Sequence, residues 1–401
     1  MHRTRPAVAL VALSVAACLL AGCSTGPGDE SDRTKASTAA ARAASAPHIR
    51  LNATDGQQHV SVRRGGRVTV EAGKITKVSL ATANGGVVPG AVSSDGRTWA
   101  PDAVLDHGTA YRLTVVAAGA EGRKETKKIA FTTVAETDRF TGAFTPDNGS
   151  TVGVGMPVSF TFDKAITDKK SVESAIEVSS SSGQAVVGHW FGAQRLDFRP
   201  QQYWKARSTI TVKIRLDGVK GAKGAYGEQD RTVRFTVGRG QVSTVDASTH
   251  RMTVVRDGKT LKTLPITAGA PDSTTWNGRM VISEKLISTR MNGATVGYAG
   301  QYDIPDVPHA MRLSTSGTFV HGNYWAPDSA FGHSNLSHGC VGLNDAKGGN
   351  DSQQDAAWFY DNSLIGDVVV VRNSDDRTIA PDNGLNGWNM PWDQWKAGSA
   401  D

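Results

Sequence analysis

Short runs in which every second residue is apolar dominate this chain, and that period confines most of it to strands. In "HVSVRRGGRVTVEAG", Val60, Val62, Val68 and Val70 alternate with polar neighbours, and Gly65 and Gly66 mark a turn. "AYRLTVVAAG" and "KKIAFTTVA" continue the alternation across the charged loop "AEGRKET". A helical period is convincing once, in "DSQQDAAWFYDNSL", where Asp351 or Ser352 is available as cap and Ala356, Phe359 and Tyr360 share a face. The expected fold class is therefore mainly β.

The strand pattern also repeats. "TWAPDAVLDHGTAYRLTV", before a hairpin ending "IAFTTV", is answered roughly a hundred residues later by "DFRPQQYWKARSTITV", before one ending "VRFTV". That spacing is the size of one immunoglobulin-like sandwich, which places two of them at about 47–137 and 138–239. Neither contains a chemical cluster. His189 with Trp190, and Tyr203 with Trp204, are read as core or inter-domain packing, with a sugar-binding groove as the alternative.

The amino terminus reads as an export signal. Arg3 and Arg5 precede an apolar run, Ala7 to Leu20, too short to span a bilayer, and Leu20, Ala21, Gly22 and Cys23 resemble a lipobox. The expectation is a signal peptide over 1–22 and a lipid on Cys23, with a plain secreted protein as the alternative. The small, polar residues of 23–46 lack the apolar content of a core and read as a flexible tether. Acyl chains on Cys23 would hold the protein on the extracytoplasmic face of the cell membrane, facing the wall. The net charge of +6 suits an anionic wall or lipid surface. Basic residues are dispersed and not interleaved with aromatics, so no nucleic-acid partner is expected.

Of three cysteines, Cys18 leaves with the signal and Cys23 carries the lipid, so Cys340 stands alone. It follows Ser337, His338 and Gly339 and precedes Gly342, polar and small company unlike that of an inert core thiol. The surrounding region, 240–375, has its own plan: a hairpin turned at Asp257 and Gly258, a strand after Asn277-Gly278, an irregular stretch from Met291 to His309 suited to a lid, and "MRLSTSGTFVHGNYW" as a strand delivering His321. A thiol near an imidazole is an economical carbonyl-attacking nucleophile, because the imidazole can draw the thiol pKa down from about 8.5. Glycine before the cysteine leaves backbone N–H groups open to an oxyanion. The rival is zinc bound by His321, His333, His338 and Cys340, which the one-residue spacing between the last two disfavours.

"FVHGNYW" followed by "SHGC" resembles the His and Ser/Thr-His-Gly-Cys signature of the L,D-transpeptidase catalytic domain family, often called YkuD-type. "AWFYDNSLIGDVVVV", the tail "GWNMPWDQWKAGSA", the repeats and the lipobox are similar to multi-domain actinobacterial members. The resemblance implies a β-sandwich catalytic domain with a short helix, and a Trp-rich tail, 376–401, folded back on it. It also implies a cysteine acyltransferase that needs no metal or cofactor. Its partners would be peptidoglycan stem peptides, a donor tetrapeptide and an acceptor stem, with carbapenems as inhibitors. Carried onto this chain, Cys340 is the nucleophile, His321 its base, and His338 the family's second histidine. The Gly322 carbonyl orients His321, Gly339 and Cys340 offer oxyanion N–H groups, and Ser337 shapes the turn. Tyr298, Tyr302, Trp325 and Asn344 are candidate substrate contacts. Two departures stand out: Gly342 where Asn or Arg is usual, for which Asn344 is the candidate substitute, and the absence of the aromatic that family lids often carry near Val296; serine is also common at Gly322, where the backbone role survives the change. A carboxypeptidase using water as acceptor and a non-enzymatic wall-binding lipoprotein are the alternative readings.

Overall fold

The structure, a computed structural model, describes residues 46–401 apart from Tyr298; the expected signal segment and Cys23 lie outside the described residues. Its first body is a four-stranded sheet (His48–Leu51, Val68–Glu71, Thr98–Pro101, Gly90–Val92) over a five-stranded one that includes Gln57–Val60, Ala110–Gly119 and Lys124–Thr133. Val60, Val62, Val68 and Val70 are all buried, as their alternation requires. The chain crosses between the two sheets at Gly65-Gly66, so the flanking strands face each other across the core and do not pair as a hairpin.

The second body sets Gly142–Thr145, Val158–Phe162, Arg195–Pro200 and Val186–Phe191 over a sheet containing Thr209–Arg215 and Asp230–Val237. Trp190 and Trp204 fill its core, and Tyr203 packs edge-on against Trp388, so these aromatics serve packing.

The third body is built on nine strands. From edge to edge they run Gly278–Val281, Val368–Arg372, Gln241–Asp246, Arg251–Arg256, Lys259–Thr267, Val341–Asn344, Phe319–Asn323, Asp303–Arg312 and Glu284–Asn292. Asp257 and Gly258 turn the expected hairpin with φ of +48° and +79°, the left-handed pair that a two-residue loop demands. The stretch expected as one strand delivering His321 is two antiparallel strands, because the Ser314–Gly317 turn reverses the chain first. Asp303 to His309, expected in the lid, lie in a strand, leaving the irregular segment to 293–302. The helix is shorter than expected, Asp355–Asp361, and Asp351 bonds the turn before it rather than capping it. Ala356 and Phe359 pack that helix against the sheet beneath His321.

The second and third bodies share a core. Val281, Val368 and Trp388 join the second sandwich's apolar cluster, and the Gly153 and Gly155 amides donate to Ile365 O at 2.8 Å and Gly366 O at 2.9 Å. Arg239, at the junction, grips Asp367 through two bonds of 2.8 and 2.7 Å. The tail closes this junction. Asn389 bonds both backbone groups of Arg279 at 2.8 Å, and Asn386 takes the Val281 amide at 2.9 Å, so side-chain amides cover the edge strand of the nine-stranded sheet. The tail tryptophans reach further, onto the second sandwich: Trp395 stacks on His189 and donates to Val187 O at 3.0 Å. Arg199, only 2% exposed, lies 4.8, 5.2 and 4.2 Å from the ring centres of Trp388, Trp392 and Trp395. Burial and nearby Arg279 bring its pKa down to about 10, so it remains a cation inside an aromatic cage.

Emptying that cage is expected to be costly. Trp395→Ala should lose about 3–5 kcal/mol of stability, measured by chemical denaturation, and free the tail for proteolysis; a loss below 1 kcal/mol would show that the tail merely lies on the surface.

Candidate active site

The site rests on one parallel pairing. Phe319–Asn323 runs beside Val341–Asn344 with Val320 opposite Val341 and His321 opposite Gly342. Val320, Val341 and Leu343 point into the core and are fully buried, which turns Phe319, His321 and Asn323 to the other face with Cys340. Parallel neighbours require a crossover of about a dozen residues or more. Here the crossover is 324–340, and it carries Trp325 and the Ser337 turn past the histidine before delivering the cysteine.

His321 is 4% exposed and its Nδ1 bonds Gly322 O at 2.9 Å. A carbonyl only accepts, so Nδ1 carries the proton and Nε2 is left with a free lone pair. Burial lowers the imidazole pKa below its usual value, only partly offset by the Gly322 carbonyl, and keeps the ring neutral at pH 7. Trp325 stacks on it with centroids 5.6 Å apart and planes 15° apart, while remaining 43% exposed at the cavity mouth.

The thiol of Cys340 faces Gly317 O at 3.6 Å, and its pKa is pushed up to about 11 by burial, against a smaller opposing effect from the Phe319 N–H. Burial thus outweighs the lowering expected of a neighbouring imidazole, and the resting pair is thiol and neutral imidazole. Ser337 shapes the turn as expected: its hydroxyl donates to Cys340 O at 2.6 Å and accepts the Gly339 N–H at 3.2 Å. That second bond corrects the expectation for Gly339, whose amide is held by Ser337 instead of standing open to an oxyanion. Gly339 has φ +108°, a backbone that favours glycine.

Three cavities meet here. One of about 350 Å³ is lined by His321, Asn323, Trp325, Leu336, His338 and Cys340. A second, about 330 Å³, reaches Cys340 past Arg290, Val296 and Phe319, and a third, about 340 Å³, runs along His338, Gly339, Asp272 and Asp376. Tyr302 lines all three and its ring meets His338 at 4.9 Å. Val296, near which lids of the resembled family often carry an aromatic, lies over Gly317: a Cβ added at Gly317 would sit 2.5 Å from Val296 Cγ1. Asn344 is not part of the cavity lining; its amide donates to Asp328 at 3.3 Å. Tyr298 lies outside the described residues.

Two groups near the site were not singled out in the sequence. Asp345, 5% exposed, bonds His309 at 2.7 Å behind the base, and burial pushes its carboxyl up although His309 opposes the shift. A Cβ at Gly322 would collide with that carboxylate, which explains glycine where the family often has serine. Asn323 is the other, buried beside His321. The one sequence signal for it was a polar residue two positions after a candidate base.

Gly322→Ser is expected to destabilise the protein by about 1–3 kcal/mol through overpacking and to displace His321; an unchanged melting temperature and activity would contradict this packing. Alkylation of Cys340 by iodoacetamide should accelerate across the alkaline range towards pH 11; a midpoint below pH 7 would show a preformed thiolate instead.

The chain is similar to known proteins along most of its length. A profile of the L,D-transpeptidase catalytic domain matches residues 240–371, and one of a bacterial Ig domain matches residues 57–220. L,D-transpeptidase 2 of Mycobacterium tuberculosis is 32% identical over 359 residues, covering 88% of this chain and 85% of its own length. L,D-transpeptidase 5 of that species is 32% identical over 343 residues, covering 83% of this chain and 72% of its own. A solved L,D-transpeptidase in complex with imipenem aligns with a TM-score of 0.49 and 28% identity, over 57% of this chain and 97% of that one. With such identity sustained along most of both chains, and a site built of His321 and Cys340 on adjacent strands, this protein belongs to the L,D-transpeptidase family.

Proposed function

We propose that this protein joins peptidoglycan stem peptides by 3-3 crosslinks, through a thioester on Cys340. The observation that carries the reading is a thiol, alone among the described residues, sharing a cavity with a buried imidazole whose Nδ1 proton is fixed and whose Nε2 is basic.

Sulfur attacks the carbonyl carbon of the third residue of a donor tetrapeptide as the thiol proton passes to His321 Nε2. A neutral resting pair makes this transfer concerted with attack, so no buried thiolate has to exist beforehand. The Cys340 N–H is the remaining donor of the turn for the oxyanion, since Ser337 holds that of Gly339. The C–N bond to D-alanine then breaks and the imidazolium returns its proton to the leaving amine. A neutral side-chain amine on a second stem attacks the thioester, gives a proton to His321, and the departing thiolate takes it back. Separate cavities sharing Tyr302 give donor and acceptor distinct approaches.

The lipobox-like Leu20 to Cys23 supports a lipid anchor on the outer face of the membrane, with the sandwiches carrying the site towards the wall. Membrane release by a Cys23→Ala change, with fractionation as readout, tests that placement; unchanged membrane association would refute it.

The decisive assay incubates residues 46–401 with disaccharide-tetrapeptide and analyses the products by mass spectrometry. Dimers lacking one D-alanine are expected, absent with Cys340→Ala; tripeptide alone would show water as acceptor, and no product or adduct would remove the enzymatic reading. A carbapenem should add its mass to the wild-type chain and not to Cys340→Ala. Because the base must be neutral and burial lowers its pKa, kcat/KM for the donor, which reports acylation, should fall only on the acid side of about pH 6.5 and stay level through neutral pH.

A further inference from the structure

Gly342 stands opposite His321, and the space a side chain would need there is already taken. A Cβ at 342 would lie 2.8 Å from Thr267 Cγ2 and 3.2 Å from Asn323 Nδ2. Thr267 is held in this pose, its hydroxyl accepting the Leu336 N–H at 3.0 Å and its methyl facing Gly342. Asn323 is held as well. Its Oδ1 accepts the Ala326 N–H at 3.0 Å, a bond only the oxygen end can make, so Nδ2 is the end beside Gly342.

Asn323 is 4% exposed, shares a face with His321 and lines the cavity that holds His321 and Cys340. Among the described residues no acceptor is found for Nδ2, and this nitrogen is not fully enclosed, so it opens onto the cavity. Buried amides are rarely left half-bonded without reason, and a fixed donor in the cavity of a nucleophile is suited to an acceptor on the substrate. Nearby polar groups are already committed: Ser337 Oγ to Cys340 O, and Asn344 to Asp328.

We propose that Asn323 is a specificity-determining residue for the donor peptide, its Nδ2 donating to an amide carbonyl oxygen of the stem held next to Cys340. The donor comes from the histidine strand, and Gly342 is a glycine because the Thr267 methyl and the Asn323 amide stand where its side chain would be. This rests on the stem-peptide reading of the site.

Binding and turnover separate the two ideas. Tetrapeptide is titrated calorimetrically into the purified mature Cys340→Ala protein and into Cys340→Ala/Asn323→Ala. Loss of one hydrogen bond should weaken binding on the order of tenfold. In the catalytically intact background, Asn323→Ala should raise KM for the donor by a similar factor with kcat little changed, and Cys340 should still be alkylated by iodoacetamide at the wild-type rate. Asn323→Ala/Thr267→Ser/Gly342→Asn, which restores an amide from the facing strand and clears its space, should recover most of the affinity. Equal affinities in the titration overturn the proposal, as does a loss of turnover matched by an equal loss of alkylation, which would mark a collapsed site. If the alanine change weakens binding while the wild type turns over no stem peptide, the transfer reaction falls and the recognition role stands.

Discussion

Everything chemical in this protein depends on two short strands lying parallel. Had Phe319–Asn323 and Val341–Asn344 met antiparallel, a tight turn would have sufficed to join them, and there would be no crossover to carry Trp325 over the imidazole or to wind the Ser337 turn around the cysteine. The pairing is secured from beneath. Val320, Val341 and Leu343 are fully buried over Ala356 and Phe359, and burial of each such aliphatic side chain is worth about 1.5–3 kcal/mol. Register follows from that burial, since a slip by one residue would send the valines to solvent and His321 into the core.

The same burial sets the protonation state. Enclosing a thiol and an imidazole disfavours the charged form of each, so the thiol pKa rises, the imidazole pKa falls, and both rest neutral. A preformed ion pair would be more nucleophilic in water, but it would have to be stabilised without solvent. The structure instead fixes the tautomer through Gly322 O and leaves Nε2 as an unprotonated acceptor beside a neutral thiol. Asp345 and His309 form a second layer behind that carbonyl, and they fill the volume that any residue larger than glycine would claim at 322.

Much of this was legible in the sequence because it is local. Val60, Val62, Val68 and Val70 announce a sandwich by their period, and "SHGC" after "FVHGNYW" announces the thiol and imidazole. Trp190 is buried from a strand and Trp204 from the loop between Arg195–Pro200 and Thr209–Arg215, both as packing residues. What stayed hidden depends on partners distant in sequence. The amide of Gly339 looked open until the Ser337 hydroxyl folded back on it, and "MRLSTSGTFVHGNYW" looked like one strand because its reversing turn is built of small polar residues with a single glycine. The roles of Asn323 and Asp345 are set by the residues beside them on facing strands, Gly342 and Gly322. In both cases the informative residue in the sequence was a missing side chain, and only the fold shows what occupies the vacated space.

The Arg199 cage has a consequence for how such a chain comes to maturity. Its walls are Trp388, Trp392 and Trp395, separated in the sequence from its floor by the whole of the nine-stranded body. The second sandwich therefore keeps a half-dressed cation until the nine-stranded body and the tail have folded against it. A chain cut before Trp388 would keep His321 and Cys340 and still present an uncovered, charged seam between two bodies, a visible mark of incompleteness for any protease it meets.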